Sequence, residues 1–272
     1  MEFDLSQYNK LLAEQKTEMA EQYLADSVPD YLYKYYLLSK GEDKNNDEKR
    51  FTSLILNSNW FAVSDKQNDP FEFKMGYVSE RLIEEKNASD TAAKAARFSL
   101  EYIRNNTLLC SFTATDENNL PMWASYSNNH YGYCVKYKVN NKRALMRVLY
   151  EKNRIGVLGV PLGFINEAKL SDEQEQETDG LKFYRHMIMQ LMCVKHISWA
   201  HEKEYRIIQP RDGAVFGRNI ENTIITPVDL YIGFNCIPEY ERRLISICKD
   251  NLNCNVYKSR IGETSFLEFD KL

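Results

Sequence analysis

The sequence predicts an α+β protein: a single domain built on a mixed, mostly antiparallel sheet flanked by helices. Short β-branched and aromatic runs bounded by turn residues recur along the chain, and stretches of helical periodicity fall irregularly between them. No internal repeat and no regular strand–helix alternation is present. The 272 residues suffice for one large core, and 43% hydrophobic content with 18 Tyr and 13 Phe fits a globular interior rich in polar-tipped rings.

Charge and cysteine usage narrow the class. With 35 basic and 39 acidic residues the net charge is −4, so general attraction to nucleic acid or anionic membrane is not expected, although a local basic patch is compatible with it. Six cysteines are scattered without a C-x-x-C pair, the start does not resemble a signal peptide, and the longest apolar runs fall far short of a bilayer span. The expectation is reduced thiols in a cytoplasmic protein with no membrane contact.

In chain order, 5–25 repeats apolar residues at helical spacing, so 1–28 reads as an N-terminal helical appendage to a domain covering 29–272. Tyr31 to Leu37 reads as a strand interrupted by Lys34, either a solvent-directed charge on an edge strand or a cation aimed into a cleft. A helix over 50–57 and a strand over 60–63 follow. Asn68, Asp69, Pro70, Phe71 and Glu72 read first as a helix start, with Asp69 as cap and Glu72 reaching back; Asn68 and Asp69 could also line a pocket. Two helices occupy 78–105, the second capped near Ser89, before a buried strand over Thr107–Thr113.

Pro121 starts a short helix that brings Met122, Trp123 and Tyr126 to one side, as core or as an aromatic wall for a flat ring. A strand follows over Tyr133–Val139. Gly156, Gly159 and Gly163 punctuate an apolar loop, 171–179 forms an exposed acidic linker, and 181–196 is helical. Strands near Val215, over 223–226, 230–233, 255–258 and 266–269, and a helix over 239–252, complete the domain.

The stretch from Trp199 to Ile208 organises the rest. Read as a strand, it sets Glu202, Glu204 and Arg206 on one face and Tyr205 and Ile207 on the other. Such a ladder is ordinarily solvated. In a cleft, however, a carboxylate can accept hydrogen bonds from sugar hydroxyls and stabilise an oxocarbenium-like cation while Arg orients it or holds a phosphate. Other chemistries find little support. The four histidines lack zinc-ligand spacing, and neither a phosphate-binding glycine loop nor a G-x-S-x-G elbow is present, so no metal site is expected. Glu72-Phe73-Lys74 has the short E-x-K form of metal-dependent nucleases, a weaker alternative because a nuclease needs more basic surface than this net-acidic chain shows.

Taken in order, Tyr33-Lys34-Tyr35, Asn68 to Glu72, Met122-Trp123 to Tyr126 with Gly132, and Trp199 to Arg206 resemble the bacterial domain-of-unknown-function family twenty-nine seventy-one, over about 31–270. Some members of that family are associated with phage resistance. A weaker similarity is to ADP-ribosyltransferases, which carry Arg or His on a first core strand, a Tyr or Ser motif at the second and a Glu within E-x-E or Q-x-E later. Lys34, Tyr126 and Glu204 stand in these places, with Lys where those enzymes have Arg or His.

The similarity implies a split sheet and NAD as the consumed cofactor. Lys34 would contact its ribose or diphosphate, Tyr126, with Trp123 beside it, would stack on nicotinamide, and Glu204 would stabilise the oxocarbenium. Glu202 would orient or deprotonate the acceptor, while Asn68, Asp69 and Arg206 would line the site. The expected protein is an NAD-consuming transferase or glycohydrolase, a defence or toxin effector, whose acceptor is left open between protein, nucleic acid and water. A partner protein from a defence or toxin–antitoxin system is compatible with this. The contrasting expectation is a non-catalytic binding or sensor module.

Overall fold

A computed structural model describes residues 3–264 and 266–272. Its main sheet runs Gly217–Glu221, Ser58–Val63, Thr107–Thr113, Tyr31–Tyr36, Tyr133–Val139, Ile225–Ile232, Asn255–Ile261 and Leu267–Lys271. Glu204–Pro210 also pairs with Thr107–Thr113, and the short Met146–Arg147 pairs with Glu204–Pro210. Within this sheet the pairings are antiparallel except that of Ile225–Ile232 with Asn255–Ile261. The α+β class and the mixed, mostly antiparallel sheet flanked by helices are as the sequence predicts.

Pairing along Thr107–Thr113 decides where the sheet opens. One edge is taken along its length by Glu204–Pro210, from Glu204 opposite Thr113 to Pro210 opposite Thr107. The other edge is shared: Tyr33 meets Thr113 at one end, whereas Ala62 and Val63 meet Leu109 and Leu108 at the other. Tyr31–Tyr36 and Ser58–Val63 thus diverge from a common neighbour and leave a gap beside 110–112.

Period-two alternation sorts the side chains. Leu108, Cys110, Phe112, Tyr205 and Ile207 enter the largest core, under helices Lys44–Ile55 and Pro238–Ile247, which supply Phe51, Leu54, Tyr240 and Leu244. Each large apolar side chain buried there contributes about 1.5–3 kcal/mol. On the opposite face Leu109 packs with Phe73, Ile188 and Met192, and Tyr33 and Tyr35 pack with Met122 and Trp123. Lys34 lies on a strand hydrogen-bonded on both sides, which excludes the edge-strand reading.

Several local expectations are corrected. The first helical segment is two helices, Leu5–Ala13 and Thr17–Asp26, broken where Gln15 turns left-handed at φ 54°. Both pack on Met146, Val148 and Cys193, and the Tyr8 hydroxyl sits 2.6 Å from His186 Nε2. No helix starts at Pro70: 70–74 form turns, Asp69 accepts from the Phe71 amide at 2.9 Å, and Glu72 points elsewhere. The glycine-punctuated loop is strand Ile155–Val157 followed by helix Gly159–Gln174, which also absorbs 171–174 of the acidic linker. Gly163 permits this, because a Cβ there would come within 2.2 Å of the Tyr184 ring on helix Asp179–Met192. The strand placed near Val215 is Gly217–Glu221, and the two short strands after it are one, Ile225–Ile232, with an irregularity between Pro227 and Asp229. Helix Asp179–Met192 ends before Val194–His196, itself a strand.

Candidate functional site

The organising stretch is not one strand. Ile197–Glu202 is a 3₁₀ helix, Lys203 turns left-handed at φ 45°, and Glu204–Pro210 is the strand. Trp-Ala-His-Glu lacks strand alternation, and its chain is held by His196, whose ring accepts from the Ser198 amide at 3.3 Å. The turn at Lys203 nevertheless swings Glu202 back beside Glu204. As predicted, Glu204 and Arg206 share one face while Tyr205 and Ile207 take the other.

The charges are buried, not solvated: Glu202 and Glu204 are each 4% exposed and Arg206 is 0%. Arg206 Nε donates to Glu204 at 2.8 Å, its Nη1 lies 2.6 Å from Glu72 and also donates to the Met192 carbonyl, and its Nη2 reaches Glu72 at 3.0 Å. Lys195, the second cation, lies 2.9 Å from Glu202 and 2.8 Å from Glu204. Tyr126 donates to the other Glu202 oxygen and accepts from Asn68 Nδ2 at 3.0 Å. Thr113 Oγ1 donates to the Glu202 carbonyl at 2.5 Å, and the Glu204 amide donates to Tyr150 at 2.9 Å.

This pairing sets the protonation states. Burial works against the Glu204 carboxylate, but adjacent Arg206 and Lys195 outweigh it and hold its pKa down at about 2. Burial pushes Glu72 up against the pull of Arg206. Lys195 also suffers burial, yet Glu204 keeps it above the ordinary lysine value. Burial, then its bond to Glu202, raises the Tyr126 hydroxyl. At neutral pH the Lys195–Glu204–Arg206 chain is fully ionised.

In front of the network the sheet gap widens into a cavity of about 700 Å³. Lys34, Asn68, Tyr126, Lys195, Glu202 and Glu204 line it, whereas Arg206, Glu72, Asp69 and Trp123 do not. Lys34 and Glu204 sit on opposite faces of the sheet, and both reach the cavity because it passes through the split. Lys34 Nζ donates to the Ser111 carbonyl at 2.8 Å, inside the gap. Trp123 is wholly buried, edge-on to Tyr35, with its indole N–H on the Glu117 carbonyl, so it is core and not a wall of the cavity. Asp69 is buried in its own turn, and Arg206 acts from behind Glu204.

Sequence reasoning missed Lys195 and the Glu72–Arg206 pair. Lys195 interrupts the apolar run Met192-Cys193-Val194 as Lys34 interrupts its own strand, the signal that could have found it. Glu72 was masked by a plausible cap motif. The E-x-K residues do not converge, since Glu72 is buried on Arg206 while Lys74 is exposed with its ammonium on the Pro70 carbonyl. Among the described residues no group of three His, Cys, Asp or Glu is placed to hold a metal ion, and no helix is long and apolar enough to cross a membrane.

Fold and site together define an α+β protein whose open sheet carries a buried, cavity-facing glutamate pair held by two cations. Residues 122–207 match the model of the family described as "Protein of unknown function (DUF2971)". The matched span holds Tyr126, Lys195, Glu202, Glu204 and Arg206, and leaves Lys34, Asn68 and Glu72 outside. A search of the curated proteins and a search of the solved structures each returned no match.

Proposed function

We propose that the cavity is the site of an NAD-consuming enzyme, an ADP-ribosyltransferase or NAD glycohydrolase. The reading is supported by one observation above all: Lys34, Tyr126 and Glu204, far apart in sequence and picked out together by the transferase resemblance, line one cavity. Its volume of about 700 Å³ lies within the range of small-molecule sites, and its lining mixes rings with cations.

NAD would supply a ribose–nicotinamide bond whose cleavage leaves positive charge on the sugar. Glu204, ionised and fixed by two cations, holds a preorganised negative charge at the cavity wall, where such a cation is favoured without reorganisation. Glu202 is the carboxylate assigned to the acceptor's proton. Lys34 offers an ammonium to ribose hydroxyls or phosphate, at the cost of its bond to Ser111. Tyr126, tethered through its hydroxyl, keeps its ring in one place against the cavity. A role as a phage-defence or toxin effector accords with this chemistry and belongs to the same proposal.

One feature favours the second reading, a binding or sensor module without turnover. All four oxygens of Glu202 and Glu204 already meet Lys195, Arg206 or Tyr126. Nicotinamide release from NAD by the purified protein separates the two. Release that falls at least tenfold in folded Lys34→Ala and Tyr126→Phe supports the enzyme; NAD binding without release, with acceptors present, supports the module.

A further inference from the structure

We infer that the mouth of the cavity is a docking surface for single-stranded nucleic acid. This stands independently of NAD turnover. The chain as a whole is acidic at −4, but the cavity lining is not: Lys34, Lys49, Arg50, Lys66 and Lys195 face it against Glu202 and Glu204, five cations to two carboxylates, a local balance of +3. Two of the five are committed, Lys195 to the glutamates and Arg50 to buried Asp47 at 3.1 Å. The other three are not. Lys34 bonds a backbone carbonyl, Lys49 bonds Asn46 Oδ1 at 3.2 Å, and Lys66 lies 5.6 Å from the Phe216 ring centre. Among the described residues none of these three has a carboxylate within ion-pair distance.

Aromatic rings stand among these cations. Trp60 lines the cavity yet is half exposed, and Phe216 beyond it is 62% exposed. Phe216 immediately precedes strand Gly217–Glu221, which pairs with the strand of Trp60, Asn219 standing opposite Trp60 and Gly217 opposite Ala62. Gly217 carries φ 142° and brings its backbone under the indole, where a Cβ would come within 2.8 Å of the Trp60 ring. The glycine thus seats the indole against the sheet with its other side in solvent.

Unpaired lysines interleaved with exposed flat rings are what a single strand needs: ammonium groups for its phosphates and π-faces for its bases. A duplex keeps its bases stacked on one another and has none to offer Trp60. Because Phe216 extends the pattern past the cavity lining, the occupant is longer than a mononucleotide.

The test is fluorescence anisotropy of labelled twelve-nucleotide oligothymidylate and oligouridylate with the full chain, without NAD. Binding is expected to weaken with salt, with a log–log slope of about −2 for three lysines. Trp60→Ala is expected to weaken it about tenfold or more, and Lys66→Glu by a similar factor with a shallower salt slope. Both positions are exposed, and circular dichroism checks that the variants stay folded. A preference for one of the two oligomers tells RNA from DNA within the same proposal. No binding by the parent chain overturns the inference, as does binding unchanged in both variants or equal binding of a duplex. Failure here leaves nicotinamide release untouched, so the two readings fall separately.

Discussion

Two buried polar clusters of this protein solve the same problem differently. Where the N-terminal helices meet helix Asp179–Met192, Tyr8, His186 and Gln190 form a neutral cluster, with the Tyr8 hydroxyl 2.6 Å from the imidazole and 3.2 Å from the amide oxygen. Burial pushes His186 down to about 4, so the ring is neutral at physiological pH, although Glu21 stands 3.5 Å from its Nδ1. Behind the cavity, Arg206, Glu204 and Lys195 stay charged because each has an opposite charge within hydrogen-bond reach, and Glu72 and Glu202 pair with the two cations from either end. A neutral cluster suffices to fasten helices. Keeping a charged one out of water is far costlier, and this one ends at the wall of a cavity.

The comparison breaks most decisively at Arg206. Arg206→Ala leaves Glu72 and Glu204 buried without their shared partner and should lower unfolding free energy by about 3–5 kcal/mol, read by urea denaturation. Tyr8→Phe, in the neutral cluster, should cost no more than about 1.5 kcal/mol in the same assay.

Acid should separate the clusters by pH window. His186 has a folded pKa below its unfolded 6.5, so its contribution is complete above 6.5 and lost as pH falls toward about 4. Glu204, depressed to about 2, contributes fully above 4.5 and loses that contribution as pH falls from there toward 2. Each shift corresponds to about 3 kcal/mol, and raised Glu72 offsets part of the second. Stability measured from pH 8 to pH 3 should therefore fall in two stages. His186→Gln should flatten the upper stage alone; a single slope unchanged by that variant would contradict the assignment.

Smaller effects sharpen the charged cluster. Tyr126→Phe removes one bond to a carboxylate and should cost about 1.5–3 kcal/mol, leaving the Glu202 carboxylate on Lys195 alone. Lys34→Ala removes a single bond to Ser111 and should cost about 1 kcal/mol, while its effect on ligand binding should be much larger than its effect on stability.

How much of this was legible in sequence depended on how local the signal was. Thr107–Thr113 and Tyr133–Val139 are legible to the residue because β-branched and aromatic runs meet clear turn residues at both ends. Ser89 was found as a cap, and its hydroxyl does accept from the Ala92 amide. The pairing of Glu204 with Arg206 on one face followed from alternation. What failed was non-local. Glu72 reads as a cap until Arg206, 134 residues away, is brought against it. Trp123 reads as a cavity wall until Tyr35 and the Glu117 carbonyl close over it. The gap that makes the cavity comes from two strands sharing one edge of a third, a matter of register that no single segment encodes.

NAD binding in the cavity, through Lys34 and the glutamate wall, is a proposal. Its most direct test is a thermal-shift titration with NAD on the parent chain and on Lys34→Ala, read beside nicotinamide release. A saturable upward shift in the parent, lost or strongly weakened in the folded variant, is the predicted result. No shift in the parent at millimolar NAD, together with no release, would contradict the account.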